Sequence, residues 1–252
     1  MTSSPAPRPA IKRKSAQSTV ASDAVLLPVF NEESTVDAVL DAVRAYFDGE
    51  VIVVDDGSTD ETPRVLAARD DITVVHLDRN CGYGCALKIG FRIAHDLGVS
   101  RLITMDCDGQ HEPAHIPQFL SAMEVGGDIV SGSRYLPGSA MVGVAPESRQ
   151  AINQRITAQI NAVTGWGLTD AFCGFKAYRL DALDCIRLVE PGYAMPLELW
   201  AKAWKCALSV REIPVERIYC DHERSFGVEL DDPETRFAYY LDVWGRALKE
   251  DS

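Results

Sequence analysis

Asp106 and Asp108 stand two residues apart in the segment ITMDCDGQH, at the end of an apolar run, with Gln110 two residues further on. In an extended backbone, side chains i and i+2 project to one side, so the spacing predicts two carboxylates facing a common point. Donors that are all oxygen suit Mg²⁺ or Mn²⁺ and not zinc. Acidic pairs also cap helices and decorate turns; the strand-end position is what favours a metal here. A cation at that point would bridge the phosphates of a nucleotide diphosphate and offset the charge that grows on a departing phosphate. A second acidic pair, Asp55 and Asp56, ends the apolar run in VIVVDDGSTDET. Gly57 suits a tight turn there, and Ser58, Thr59 and Asp60 are candidate helix caps. Capping does not need both acids, which leaves one carboxylate for ribose hydroxyls or base N–H groups.

The elements that must position these residues alternate along the first half of the chain. DAVLLPVF precedes a helix near 34–47, VIVVDD a helix near 62–68, ITVVHLD a helix over 83–97, RLITMD a helix over 116–125, and DIVSGS follows. This order predicts an α/β fold with a mostly parallel sheet and helices on both faces. Ligands of such sheets bind where the strands' carboxyl ends gather. The polar residues of this chain stand at those ends: Asn31 and Glu32, Asp55 and Asp56, Asp78 and Arg79, Asp106 and Asp108, Ser133 and Arg134. The second half offers a helix near 147–163, a strand in AFCGFKAY, a helix near 197–207, the strand SVREIPVERI and a helix over 235–248. It is expected to close the sheet's open edge and to build an acceptor site. The last helix places Phe237, Leu241, Trp244 and Leu248 on one stripe, read as core packing.

At 252 residues, 46% hydrophobic and 25% charged, the chain can bury a substantial core. Residues 23–252 read as a single domain. Residues 1–22, with Arg8, Lys12, Arg13, Lys14 and no acid, read as a disordered basic tail. The net charge of −12 then leaves about −16 on the body. Such a surface repels nucleic acid, and no nucleic-acid partner is expected. No stretch approaches the ~18–20 apolar residues of a membrane span, and the N-terminus lacks a signal-peptide core. A cytoplasmic protein is expected, with peripheral contact at the inner face of the membrane left open by the basic tail. The seven cysteines contain no CxxC pair and read as reduced thiols.

Taken in order, PVFNEESTV, VVDDGSTDET, RNCGYGCALKIGFRIA, MDCDGQH and SGSRY resemble the successive motifs of the family 2 inverting glycosyltransferases, and within them the dolichyl- or polyprenyl-phosphate sugar synthases. The resemblance implies a glycosyltransferase A (GT-A) fold and transfer of a hexose from a UDP- or GDP-sugar donor. It implies that Pro28, Asn31 and Glu32 line the nucleotide pocket, with Asp56 on base or ribose. Asp106, Asp108 and Gln110 would surround the metal and diphosphate, and Arg134 and Arg149 would lie near the phosphates. It also places Asp78, Arg79 and Lys88 near the nucleotide or sugar, and Asp170 near the sugar or as a base, with Glu198 the other candidate base.

Three features bear on that picture. The run CGYGCALKIG resembles a dinucleotide-binding turn, but the third glycine position falls on Leu87, so a Rossmann dehydrogenase fits poorly. His111 and His115 are the one pair with ligand-like spacing, and a structural or substrate-contact role is favoured over a second metal. In ERSFGVELDD, Arg224 and Gly227 match the lipid-phosphate synthases, whereas Val228 and Glu229 replace a Ser and a Lys. The acceptor is therefore open between polyprenyl phosphate and a soluble hydroxyl compound. The alternative function is a non-catalytic module that binds and senses a nucleotide sugar.

Overall fold

The computed structural model describes residues 10–12, 23–143, 147–218 and 230–250. Val228 and Glu229 lie outside the described residues. In chain order the elements are β1 (Ala10–Lys12), β2 (Asp23–Val29), α1 (Val36–Tyr46), β3 (Glu50–Asp55), α2 (Thr62–Ala68), β4 (Thr73–His76), α3 (Tyr83–Asp96), β5 (Arg101–Thr104), α4 (Ile116–Val125) and β6 (Ile129–Ser133). They continue with β7 (Met141–Val142), α5 (Glu147–Thr164), β8 (Lys176–Arg179), α6 (Met195–Lys205), β9 (Val210–Pro214), β10 (Arg217–Ile218) and α7 (Pro233–Lys249).

Eight strands form one sheet in the order β1-β4-β3-β2-β5-β8-β6-β9, and β7 pairs with β10 in a separate two-stranded ribbon. β4, β3, β2 and β5 are parallel neighbours, as are β6 and β9. Their strands are apolar on both faces because both faces are covered. Ala24 and Leu26 of β2 and Ile52 and Val54 of β3 pack into one core with residues of α3, α5, α6 and α7. The alternate residues Val25, Leu27, Val51 and Val53 pack into a second core with residues of α1, α2 and α4.

Three expectations change. The second half does close an edge, through β9, but β8 lies inside the sheet, antiparallel between β5 and β6. Of the segment expected to be a disordered tail, Ala10–Lys12 forms a strand antiparallel to β4, using backbone groups that an edge strand leaves unpaired. On α7 the buried positions are Arg236, Tyr240, Val243, Trp244 and Ala247, while Leu241 is exposed. The inward face is thus rotated by about one position from the apolar stripe, because it carries an arginine and a tyrosine toward a cleft.

Helix α3 approaches β2 closely at Gly90, where an added Cβ would come within 2.3 Å of the fully buried Leu26 side chain. Gly245 in α7 has nothing within 4 Å of such an atom. Gly90→Val is expected to lower the unfolding free energy by about 1–3 kcal/mol through overpacking, and Gly245→Ala to raise it by up to about 1 kcal/mol through helix propensity. Urea denaturation of the two variants checks both signs.

Candidate active site

The parallel strands deliver their carboxyl ends to one cleft of about 910 Å³, a size suited to a small-molecule ligand. Two loops build one wall. Asn31, with a left-handed backbone (φ 54°), receives a hydrogen bond at its side-chain oxygen from the Thr59 N–H (2.8 Å) and donates its own N–H to the Ser58 hydroxyl (2.9 Å). The N–H groups of Glu32 and Glu33 donate to the Thr62 hydroxyl and the Asp60 carboxylate. Ser58, Thr59 and Asp60 therefore latch the β2 loop, and Asp60 also caps α2 as expected, its other oxygen accepting the Thr62 N–H (3.0 Å). Pro28, Asn31 and Glu32 all line the cleft.

The second acidic pair divides. Asp56 lines the cleft and accepts the N–H groups of Cys81 (2.7 Å) and Gly82 (2.8 Å); burial pushes its carboxyl up against the pull of those donors. Asp55 does not line the cleft. It is buried, accepts from the Ser58 N–H and bonds His76, so its expected nucleotide contact is corrected to a turn-building role. The glycines that follow serve packing: a Cβ on Gly82 or Gly84 would press on the carbonyls of Pro191 or Glu190. Asp78, Arg79 and Lys88 do not line the cleft, and Lys88 instead donates to the Val189 carbonyl (2.8 Å).

Asp106, Asp108 and Gln110 line the same cleft. The backbone leaves the strand after Thr104, so their convergence comes from a turn, closed by the Gln110 N–H donating to Asp108 (2.9 Å), and not from persisting extended chain. Asp106 is fixed from several sides. Its Oδ1 accepts the Tyr83 hydroxyl (3.0 Å), its N–H donates to His111 Nδ1 (2.9 Å), and its carboxylate lies over Gly174, where a Cβ would come within 2.4 Å. The bond to Nδ1 makes His111 the neutral tautomer with its proton on Nε2. Burial lowers its pKa despite Asp106 and Asp108 nearby. His115 bonds Gln118 and Glu216 instead, so the two histidines form no second metal site. No set of three or more His, Cys, Asp or Glu side chains forms a metal cluster among the described residues. Two carboxylates and a carboxamide at an open cleft fit a hard cation that completes its shell with diphosphate oxygens and water.

Arginines line the same cleft. Arg134 and Arg149 line the cleft with Asn153, one turn beyond Arg149 on α5. Arg134 forks onto Asp170, Nε to Oδ2 at 2.6 Å and Nη2 to Oδ1 at 2.9 Å, and Asn153 donates to the same carboxylate (2.8 Å). Asp170 is fully buried and does not line the cleft. Burial alone would raise its carboxyl, but the Arg134 guanidinium, with Asn153, holds it down to about 2. A carboxylate so acidic and so enclosed is a poor base, and Asp170 is corrected to the residue that positions Arg134. Glu198 is buried as well, accepting from the N–H groups of Val189 and Glu190 and pairing with Lys202 (2.7 Å). Tyr83, Tyr193, Arg236 and Tyr240 complete the lining, with Tyr83 and Tyr193 stacked at 5.8 Å. None of these four was singled out from the sequence; the i, i+4 spacing of Arg236 and Tyr240 was the available signal.

Residues 24–187 match the glycosyl transferase family 2. The chain is a family 2 glycosyltransferase. It is 32% identical over 200 residues, covering 76% of the chain and 75% of the relative, to the polyprenol monophosphomannose synthase of Mycolicibacterium smegmatis. It is also 32% identical to the undecaprenyl-phosphate mannosyltransferase of Micrococcus luteus, covering 81% and 87% of the two chains. Among solved structures it is similar to glucosyl-3-phosphoglycerate synthase of Mycobacterium tuberculosis with Mn²⁺, uridine diphosphate and phosphoglyceric acid, at a TM-score of 0.68 and 18% identity, over 92% and 80% of the chains. The glycosyltransferase has the GT-A fold, as the motif order implied. Membership makes it an enzyme, and the sensor alternative is set aside. No helix of this glycosyltransferase, among the described residues, is long and apolar enough to cross a membrane.

The Asp170–Arg134 pair gives a testable consequence. Arg134→Met leaves a buried carboxylate without its cation and is expected to lower stability by about 3–5 kcal/mol, with Asp170→Asn in the same chain recovering much of the loss. Because the folded pKa of Asp170 is depressed, its contribution is present above its unfolded pKa near 4 and is lost as pH falls through about 2. The gap between parent and Arg134→Met should therefore narrow as pH falls from 5 toward 2, as read by urea midpoints across that range.

Proposed function

We propose that this glycosyltransferase moves a hexose from a UDP- or GDP-sugar to a phosphate acceptor, polyprenyl phosphate, with inversion at the anomeric carbon. The observation that carries this is that one cleft gathers oxygen donors, Asp106, Asp108 and Gln110, and cations, Arg134 and Arg149. Both acids considered as bases, Asp170 and Glu198, are buried in structural bonds. A sugar hydroxyl needs a base to take its proton, whereas a phosphate monoester is already a nucleophilic anion near neutral pH. Neither of these two acids is placed to take a proton, which favours a phosphate acceptor. The names of the mannose-transferring relatives support the same choice.

In the reaction, an acceptor phosphate oxygen bonds to the sugar C1 as the bond from C1 to the donor's β-phosphate breaks, and that electron pair leaves with the nucleoside diphosphate. Asp106, Asp108 and Gln110 would hold Mg²⁺ or Mn²⁺, which supplies neutralising charge to the diphosphate. Tyr83, His111 and Gly174 keep Asp106 in place. Arg134, locked in its fork on Asp170, presents fixed positive charge to the cleft without reorganising during reaction. A polyprenyl-phosphate acceptor puts the reaction at the cytoplasmic face of a membrane, by peripheral contact.

Asp108→Ala is expected to reduce Mn²⁺- or Mg²⁺-dependent transfer by about a hundredfold or more. Sugar transfer from UDP- and GDP-hexoses to polyprenyl phosphate, and to water-soluble hydroxyl acceptors without detergent, measures this. Normal rates for the variant at saturating donor would sink the metal assignment, and transfer confined to soluble acceptors would sink the phosphate acceptor.

A further inference from the structure

We infer that Arg236 of α7 is an acceptor-specificity residue, which with Arg149 holds the phosphate monoester of the acceptor in the cleft. The inference rests on the phosphate-acceptor proposal above and adds the residue that selects for it. Arg236 is 5% exposed, yet it lines the cleft. Its guanidinium is held in place, Nη1 donating to the Leu230 carbonyl at 2.9 Å, while its N–H donates to the Asp232 carbonyl in the first turn of the helix. One turn on, Tyr240 lines the same cleft. Burial raises the Tyr240 phenol, and the positive charges of both Arg236 and Arg149 pull it back, so the two guanidinium groups act on one point.

The surrounding charge sharpens the argument. Residues 225–235 contain Glu229, Asp231, Asp232 and Glu234 and no basic residue. Asp231, Asp232 and Glu234, the described acids of this segment, add to the negative field that a dianion meets in a chain of net charge −12. Arg236 is the first cation after it, on the inward face of the helix. A guanidinium enclosed by a cleft is desolvated, so it recognises an anion more strongly than a surface lysine would, and its planar fork matches two phosphate oxygens. The donor diphosphate already has the oxygen donors and their metal, which leaves Arg149 and Arg236 for the second phosphate group of the reaction.

The test uses the full chain, a short polyprenyl phosphate as acceptor and a simple alkyl phosphate as competitor. Arg236→Gln should raise acceptor KM by about 10- to 100-fold, the value of one charged hydrogen-bonding group, and weaken competition by the alkyl phosphate in parallel, with donor KM unchanged. Arg236→Lys, which keeps charge but loses the fork, should show a smaller rise. Arg246→Gln, exposed on the same helix, should match the parent. If Arg236→Gln does not fold, the lysine variant decides through the same two constants. Unchanged acceptor KM in the folded variants overturns the role of Arg236 and leaves the phosphate-acceptor proposal standing. Donor KM rising in step also overturns it, placing the guanidinium on the diphosphate. Absence of transfer to polyprenyl phosphate by the parent chain overturns both.

Discussion

The fully buried carboxylate of Asp170 is the constraint around which the cationic part of the cleft is organised. An uncompensated charge there is prohibitive, so the fold must bring donors to it. Arg134 arrives from the end of β6, Asn153 from α5, and the Phe172 N–H from its own loop. Glu212 of β9 accepts the Asp170 N–H and fixes the backbone from below. The carboxylate thus ties the end of β6 to α5 and points a guanidinium into the cleft, while the Asp170 N–H adds β9. Its acidity comes from Arg134 against the effect of its enclosure, and both remove it from proton transfer.

The loop that carries Asp170 reaches this position because of an antiparallel strand. β8 begins at Lys176, paired with Thr104 at the end of β5 and with Ser131 near the end of β6. A strand running against its neighbours starts where they finish, so residues 170–175 emerge at the carboxyl ends of β5 and β6. There Gly174 admits the Asp106 carboxylate, its carbonyl accepts the Thr104 hydroxyl (2.8 Å), and the Ala171 carbonyl accepts the Trp200 indole N–H (2.9 Å). Asp106 and Arg134 are supported by one short loop.

Much of this was legible in the sequence, because it depends on local periodicity. The apolar runs at 23–29, 50–55, 73–76 and 101–104, each followed by a helical pattern, dictate parallel strands whose carboxyl ends collect Asn31, Asp56, Asp106 and Arg134. A dinucleotide-like glycine run was separable from a true one by the side chain at Leu87. The acidic pair at 55 and 56 was half legible: capping did not need both acids, but the pattern did not tell them apart. β3 ends at Asp55, which bonds His76 and the turn, and Asp56 follows it into the cleft.

Sequence alone thus determined the fold class and the family, since each follows from patterns along continuous segments. Tertiary structure decided the rest. That Asp170 is a buried counter-ion and that Lys88 reaches a carbonyl beside α6 are outcomes of partners 36 and 101 residues away, and that Arg236 and Tyr240 turn inward is an outcome of packing. Local pattern records what a residue can do, but burial and the nearest opposite charge decide what it does. Those are properties of the packed chain.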